Sequence, residues 1–150
     1  MIGAGDFNRD GKLDLATAGS FGASSSVNIL LGNGDGSFSY GASYPGTEVE
    51  PSAIAVADFN NDHKLDFVVS ALFGGLTVFL GNGDGTFKSE PELGVQAPLR
   101  VIAADLDGDG NVDLLAANDE LRLGHGGGAT VLMGNGNGTF HAAKVLRLRR

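Results

Sequence analysis

The sequence predicts an all-β fold of propeller type, made of three four-stranded antiparallel repeats of about 50 residues. An acidic motif and a glycine-rich motif alternate along the chain and begin at Asp6, Gly32, Asp58, Gly81, Asp105 and Gly134. Because both markers keep their order and recur about every 50 residues, the chain contains three copies of one supersecondary unit. We expect a single domain whose repeats, or blades, occupy about 1–49, 50–96 and 97–150.

Short apolar and partly β-branched runs separated by turn residues predict four strands in each repeat. In the second repeat these strands are expected at 54–57, 65–69 and 76–80, with a more polar fourth strand starting at Thr86. The first strand of each repeat is rich in Ala and Gly, which predicts crowding between neighbouring repeats. A sheet that is apolar on both faces needs another sheet over each face, and stacking the repeats around an axis provides it.

The glycine-rich motif reads Gly-Asn-Gly-Asp-Gly in the first two repeats and Gly-Asn-Gly-Asn-Gly in the third. Asn-Gly and Asp-Gly pairs supply the positive φ angles of tight hairpin turns. A phosphate-binding loop is disfavoured because no Lys-Ser or Lys-Thr pair follows and no helical pattern begins after the motif. The motif is therefore predicted to join strands three and four, at the same end as the acidic motif between strands one and two.

The composition narrows the function classes. The 150 residues include 25 Gly and no Cys, so tight turns are expected, while a disulfide framework and a thiolate metal site are excluded. The net charge of −8 argues against a nucleic-acid partner. No apolar run approaches the ~20 residues of a membrane-spanning helix, and the first residues do not resemble a signal peptide. Ten of the 18 acidic residues lie in the three acidic motifs, so most of the negative charge is expected to come from side chains that bind cations.

The acidic motif predicts a cation site. In the second copy, oxygen-bearing side chains stand at motif positions 1, 3, 5 and 9, which are Asp58, Asn60, Asp62 and Asp66. Alternate side chains on a tightly curled loop can converge on one point, and Ca²⁺ takes six to eight oxygen ligands. An EF-hand is excluded because position 12 never carries a carboxylate and the flanking runs indicate strands instead of helices.

The sequence Asp-Phe-Asn-x-Asp-Gly-Lys-Leu-Asp-Leu, followed by Gly-Asn-Gly-Asp-Gly-Ser/Thr-Phe, resembles the FG-GAP/VCBS repeat family, the calcium-binding blades of integrin α-chain propellers and of many bacterial surface and secreted proteins. The resemblance implies up to three Ca²⁺ ions, each in the hairpin between the first two strands of a blade. The side-chain ligands that it implies are Asp6, Asn8, Asp10, Asp14, Asp58, Asn60, Asp62, Asp66, Asp105, Asp107, Asp109 and Asp113. At position 7 it implies backbone carbonyl ligands, with the Lys head groups pointing to water, at Lys12, Lys64 and Asn111.

The second copy departs from the pattern at position 6, where His63 replaces the glycine found as Gly11 and Gly110. If this position needs a left-handed backbone, His adopts it less readily than Gly. The second site is therefore predicted to be the weakest. His63 as an additional ligand is disfavoured because Ca²⁺ prefers oxygen.

The end of the blades opposite the acidic motifs carries the connections that vary most between repeats. Resemblance to integrins implies that a protein or glycan partner binds at this end. The candidate contact residues are Phe21, Tyr44, Phe73, Arg122 and His125. Packing of Phe21 and Phe73 into gaps between blades is the alternative interpretation.

Catalysis is not expected, because Cys is absent, the three His residues have no nucleophile motif nearby, and paired carboxylates occur only in the acidic motifs. Two function classes remain. One is a calcium-binding module for adhesion or recognition, extracellular or at the cell surface; the other is a structural spacer or docking segment of a larger secreted protein or enzyme. The family's propellers are usually seven-bladed and three blades do not close a ring, so further blades, a second copy giving six blades, and an open arc are the alternatives.

Overall fold

The computed structural model describes residues 1–21, 24–45, 50–118, 128–141 and 144–147, and their regular secondary structure is entirely β. The strands are β1 (Ile2–Gly5), β2 (Asp14–Phe21), β3 (Ser24–Gly32), β4 (Phe38–Pro45), β5 (Pro51–Ala57), β6 (Asp66–Ala71), β7 (Leu76–Gly81), β8 (Phe87–Ser89), β9 (Pro98–Ala104), β10 (Asp113–Asn118), β11 (Gly128–Leu132) and β12 (Lys144–Arg147). Among the described residues, no helix has the length and apolar character needed to cross a membrane.

The strands form three antiparallel four-stranded sheets, in the orders β1-β2-β3-β4, β5-β6-β7-β8 and β9-β10-β11-β12. Each sheet corresponds to one sequence repeat, so the predicted fold class is confirmed. The sheets are propeller-type blades and are called blade 1, blade 2 and blade 3 below.

The fourth strand of blade 3 differs from the prediction, which starts it at Thr139, the residue equivalent to Thr86 of the second repeat. Phe140 pairs with Gly134 only through an isolated bridge, and β12 begins at Lys144, paired with Val131. These two pairings differ in register by one residue. A register shift interrupts a strand ladder, which explains why the regular strand starts later than expected.

The acidic motif occupies the same place in every blade. The last residue of the first strand pairs with the Asp that begins the second strand, through Gly5–Asp14, Ala57–Asp66 and Ala104–Asp113. Residues 6–13, 58–65 and 105–112 therefore form the connecting loops, called the acidic loops below. The glycine-rich turn lies at the same end of the blade, as predicted, because the Gly32 N–H donates a 2.8 Å hydrogen bond to the Asp14 carboxylate.

Each pair of neighbouring blades encloses its own hydrophobic cluster. The cluster between blades 1 and 2 includes Phe7, Ile29, Phe67, Phe79 and Phe87. The cluster between blades 2 and 3 includes Phe59, Val68, Leu76, Val78 and Leu114. Blade 2 is covered on both faces, and all six residues of β6 are buried. Burying one such side chain contributes about 1.5–3 kcal/mol, so packing between neighbouring blades stabilises the fold.

The small residues of the first strands lie where neighbouring blades meet. A Cβ atom on Gly3 would stand 2.7 Å from Ile54 Cγ2, and one on Gly5 would stand 2.6 Å from Leu65 Cδ1. Real Cβ atoms do not approach other atoms this closely. The crowding that the Ala- and Gly-rich first strands predict is therefore present between blades 1 and 2.

Candidate metal centres

The acidic loops curl around their own side-chain oxygens. In the first loop the Asp6 carboxylate accepts hydrogen bonds from the N–H groups of Asp10 (3.1 Å) and Gly11 (2.9 Å). The Asn8 side-chain oxygen accepts from Asp10 N–H at 3.0 Å, and the Asp10 carboxylate accepts from Lys12 N–H at 2.9 Å. Corresponding bonds form in the other two loops, except that Asp105 accepts from Gly108 N–H where Asp6 accepts from Asp10 N–H. The side chains at positions 1, 3 and 5 are thereby held on the inner side of one curl.

The third loop brings three carboxylates together. One oxygen from each of Asp105, Asp107 and Asp109 lies within 4.8 Å of the other two, and all three residues are exposed. Like charges at this distance repel, whereas a hard cation prefers such carboxylate oxygens. The donor set therefore fits Ca²⁺. The first and second loops carry Asn8 and Asn60 at position 3, so each has two carboxylates at positions 1, 3 and 5.

The Asp at position 9 is fully buried in every blade and does not belong to the group of three carboxylates. Each of its two oxygens accepts one backbone N–H. One donor is the residue at position 2 of the same loop, and the other is the first glycine of the glycine-rich turn. The donor pairs are Phe7 and Gly32 for Asp14, Phe59 and Gly81 for Asp66, and Leu106 and Gly134 for Asp113, at 2.7–2.9 Å.

These bonds give the position 9 Asp a role that the sequence did not reveal, because it joins the acidic loop to the glycine-rich turn. A carboxylate oxygen has more than one lone pair. A ligand role for Asp14, Asp66 and Asp113 is therefore compatible with their hydrogen bonds. The repeated combination of the two motifs was the available signal, but it did not indicate which atoms connect them.

Burial and hydrogen bonding shift the pKa values of two loop carboxyls in opposite directions. Burial raises the pKa of the Asp66 carboxyl to about 6, although hydrogen bonds from Gly81 and Phe59 N–H oppose the shift; the charges of Asp58 and Asp62 raise it further. At position 5, a hydrogen bond from the Lys12 N–H lowers the pKa of the Asp10 carboxyl. A nearby cation would favour the ionised form of every one of these groups.

Position 6 adopts the left-handed backbone in all three loops. The φ angles are 83° at Gly11, 63° at His63 and 87° at Gly110. Such a φ costs a residue with a Cβ roughly 1–2 kcal/mol relative to the right-handed region, so His63 carries strain that the glycines do not. This strain supports the expectation that the second site is the weakest of the three, which stays a prediction. Position 4 is also left-handed, a feature that sequence reasoning missed, since Asn61 has a φ of 57°.

The lysines at position 7 remain partly exposed to water, and each pairs with a carboxylate of its own loop. Lys12 Nζ lies 3.5 Å from an Asp10 carboxylate oxygen, and Lys64 Nζ lies 3.1 Å from one of Asp62. The reason is that the ammonium group can reach back to the carboxylate two residues earlier. Such exposed pairs contribute little to stability.

The residue at position 2 links the first acidic loop to blade 2. The Phe7 ring packs against Phe67 and Phe87 of blade 2, with ring centroids 6.1 and 5.3 Å away. The Phe7 carbonyl accepts a 3.1 Å hydrogen bond from Gly85 N–H, which belongs to the glycine-rich turn of blade 2.

The same link joins blades 2 and 3. The Phe59 ring lies 5.8 Å from that of Phe140, and the Phe59 carbonyl accepts a 3.0 Å bond from Gly138 N–H. Phe7 and Phe59 are each only 1% exposed. Sequence reasoning missed this contact, although the aromatic residue at position 2 of both loops was the available signal.

The candidate partner residues divide into three groups. Phe73 is 61% exposed, so it does not fill a gap between blades. Tyr44 packs between blades 1 and 2 instead, with its ring 5.7 Å from that of Phe79 and its hydroxyl accepting a 2.7 Å bond from Phe87 N–H. Arg122, His125 and the Phe21 side chain lie outside the described part of the structure.

Phe73 lines an open cleft of about 620 Å³ at the end of blade 2 opposite the acidic loops. One wall is the turn between β6 and β7, and the other is the segment that crosses from blade 2 to blade 3. The residues that line it are Leu72, Phe73, Gly74, Glu92, Gly94, Val95, Gln96 and Ala97. The cleft thus combines an exposed aromatic ring with one carboxylate.

Comparison with known families agrees with this arrangement. A family model described as an FG-GAP-like repeat matches residues 6–69 and again residues 64–116. The two matches start at the first and second acidic loops, and they extend into β6 and β10. A search of curated proteins found no match to the chain.

The hydrogen bonds to Asp14 generate a stability prediction. In the Asp14→Ala variant the N–H groups of Phe7 and Gly32 lose their buried acceptor, and each unsatisfied group costs about 1–3 kcal/mol. Urea unfolding in the presence of a chelator should show this loss, which is then independent of any metal. Asp10→Ala removes an exposed carboxylate of the same loop and should change the unfolding free energy much less. Equal effects of the two substitutions would contradict the role assigned to Asp14.

Proposed function

Because the chain belongs to the FG-GAP-like repeat family, we propose that it is a calcium-binding propeller module that recognises a protein or glycan partner outside the cell or at its surface. The observation that carries the proposal is the convergence of Asp105, Asp107 and Asp109, whose oxygens lie within 4.8 Å of one another. The same loop geometry recurs around Asp6 and Asp58, which supports up to three sites.

Each loop would hold the ion through the side chains at positions 1, 3, 5 and 9 and the backbone carbonyl at position 7. A bound Ca²⁺ would supply positive charge to the crowded carboxylates. The buried Asp would keep its hydrogen bonds to the loop and to the glycine-rich turn, so the ion would stiffen the end of the blade. Ligands drawn from a single loop suit an affinity of roughly 10⁻⁵–10⁻³ M, which matches extracellular calcium levels.

Partner recognition is proposed at the opposite end of the blades, in the cleft that Phe73 lines. An exposed ring beside Leu72 and Val95 can cover an apolar side chain or the face of a sugar, and the Glu92 carboxylate can accept hydrogen bonds. The proposed role includes no catalytic step. The alternative, a spacer without a ligand of its own, is an outcome of the binding experiment below.

Calcium binding is tested by calorimetric titration of the chelator-treated protein. We expect up to three Ca²⁺ per chain and a rise in melting temperature on loading, since a ligand present at 100 times its Kd stabilises by about 2.7 kcal/mol per site. The Asp109→Asn variant should lose or weaken one site, because it removes one of three converging carboxylates, and should leave the other sites unchanged.

Asp84→Asn is the matched control for that titration. Asp84 lies at the same end of the blades, in a glycine-rich turn, where it accepts a bond from Thr86 N–H. In blade 3 the Asn137 side-chain oxygen accepts the corresponding bond from Thr139 N–H, so Asn is tolerated at this position. Absence of calcium uptake by the unsubstituted protein would exclude the proposed sites, and equal uptake by the Asp109→Asn variant would exclude the site in the third loop.

Partner recognition is tested by screening the calcium-loaded protein against arrays of glycans and extracellular matrix proteins. We expect a ligand whose binding falls at least tenfold in the Phe73→Ala variant, because the substitution removes the exposed aromatic ring that lines the cleft. Tyr40→Ala is the matched control, since it removes a similarly exposed aromatic ring from blade 1, outside the cleft. Binding to no member of either array would favour the spacer, and a ligand insensitive to Phe73→Ala would remove the cleft from the proposal.

A further inference from the structure

A hydrogen bond between two side chains joins the second acidic loop to the third. The Asn61 side-chain N–H donates to the Asn111 side-chain oxygen at 2.9 Å. Asn61 stands at position 4 of its loop, and Asn111 stands at position 7 of the next loop. The bond lies against the glycine-rich turn of blade 3, because a Cβ on Gly136 would overlap the Asn111 oxygen and lie 2.7 Å from Asn61 Nδ2. The absence of a side chain at Gly136 therefore leaves room for this bond.

Asn111 connects Asn61 to a carboxylate of the third loop. Its side-chain N–H donates to one Asp109 oxygen at 2.9 Å, and its backbone N–H donates to the other at 2.7 Å. An ionised carboxylate only accepts hydrogen bonds, so the Asn111 amide turns its NH₂ group toward Asp109 and its oxygen toward Asn61. Both oxygens of Asp109 are thereby held, and Asp109 is one of the three carboxylates that converge in this loop.

The junction between the first and second loops brings the same two positions together with different side chains. Position 4 of the first loop is Arg9, and position 7 of the second loop is Lys64. A Cβ on Gly83, the equivalent of Gly136, would stand 3.3 Å from Arg9 Cδ and 2.9 Å from Lys64 Cδ. Arg and Lys side chains carry donors without acceptors, and their charges repel each other. One junction therefore places a hydrogen bond where the other places two like charges.

We propose that Asn61 is a positioning residue for the third calcium site, and that its bond to Asn111 couples the second and third sites. An ion in the second loop would fix the curl that carries Asn61, and the bond would then restrict Asn111 and, through it, Asp109. Whichever ion binds first orders part of the other site, so the next ion loses less conformational freedom on binding. Such coupling is reciprocal. The proposal rests on the calcium binding proposed above, and no such coupling is expected where Arg9 lies beside Lys64.

A calcium titration followed by nuclear magnetic resonance separates the three loops. The position 6 N–H groups of Gly11, His63 and Gly110 each bond to the position 1 carboxylate of their own loop, so each reports its own site. Asn61→Gly removes the side chain and keeps the left-handed backbone, since Gly108 stands at position 4 of the third loop with a φ of 81°. This variant should raise the calcium midpoint at Gly110 roughly two- to tenfold, as expected for one lost hydrogen bond, and leave the midpoint at Gly11 unchanged.

Arg9→Gly is the matched control, because it makes the same change at position 4 of the first loop. It removes a positive charge near the second loop, so the midpoint at His63 should stay the same or fall. A rise at His63 as large as the one at Gly110 would show a general effect of position 4 and overturn the proposal. An unchanged Gly110 midpoint in Asn61→Gly would overturn it while leaving calcium binding intact. No response at any of the three N–H groups would refute calcium binding as well.

The coupling is measured by adding a substitution that weakens the second site. Asp62→Asn removes a carboxylate of the second loop, and it should raise the Gly110 midpoint more in the protein with Asn61 than in the Asn61→Gly variant. Repulsion between two bound ions acts in both proteins, so the comparison isolates the contribution of the bond. An equal effect of Asp62→Asn in the two proteins would overturn the coupling.

The bond between the two amides is also tested without calcium. Urea unfolding in chelator is compared for Asn61→Gly, Asn111→Ala and the double variant. The loss of unfolding free energy in the double variant should be smaller than the sum of the two single losses, because either substitution alone already breaks the bond. Additive losses would show that Asn61 and Asn111 do not interact in solution, and they would overturn the proposal whatever the calcium affinities are.

Discussion

The structure depends on a buried carboxylate that fixes one residue of the acidic loop. Asp14 accepts the N–H of Phe7, and the Phe7 carbonyl accepts the N–H of Gly85 in the next blade. Asp66, Phe59 and Gly138 repeat this sequence of bonds between blades 2 and 3. The ring of the position 2 residue enters the neighbouring hydrophobic cluster at the same point. The first and second acidic loops, which gather side-chain oxygens, are therefore also contacts between blades.

The second acidic loop holds negative charge that its hydrogen bonds do not fully compensate. A buried carboxylate without a cation is stabilised mainly by its hydrogen bonds, and those of Asp66 do not fully compensate for burial, since the pKa of this carboxyl is raised to about 6. Asp58 and Asp62 add repulsion from the exposed side of the loop. A divalent cation among these oxygens would reduce the repulsion while leaving the backbone hydrogen bonds in place. Ion binding and blade packing would then support each other.

The sequence predicted the features that depend on short motifs repeated at a regular spacing along the chain. Alternating motifs gave the three blades, the positions of the hairpins and the shared end of the two turns. Features that depend on contacts between repeats could not be predicted in the same way. The spacing of Asp14 from Phe7 does not show that one oxygen holds the loop while the other holds Gly32, and nothing in the composition separates the packed Tyr44 from the exposed Phe73. The motif also does not show that the Lys12 ammonium group pairs with the Asp10 carboxylate.

Hydrogen exchange at Gly85 and Gly138 tests most directly whether the acidic loop couples ion binding to blade packing. Local opening of the junction exposes these two N–H groups to solvent. The account predicts that Ca²⁺ slows their exchange, while the Leu93 N–H, which bonds to the Leu76 carbonyl at the other end of blade 2, exchanges at an unchanged rate. Calcium uptake without any slowing at Gly85 and Gly138 would contradict the account.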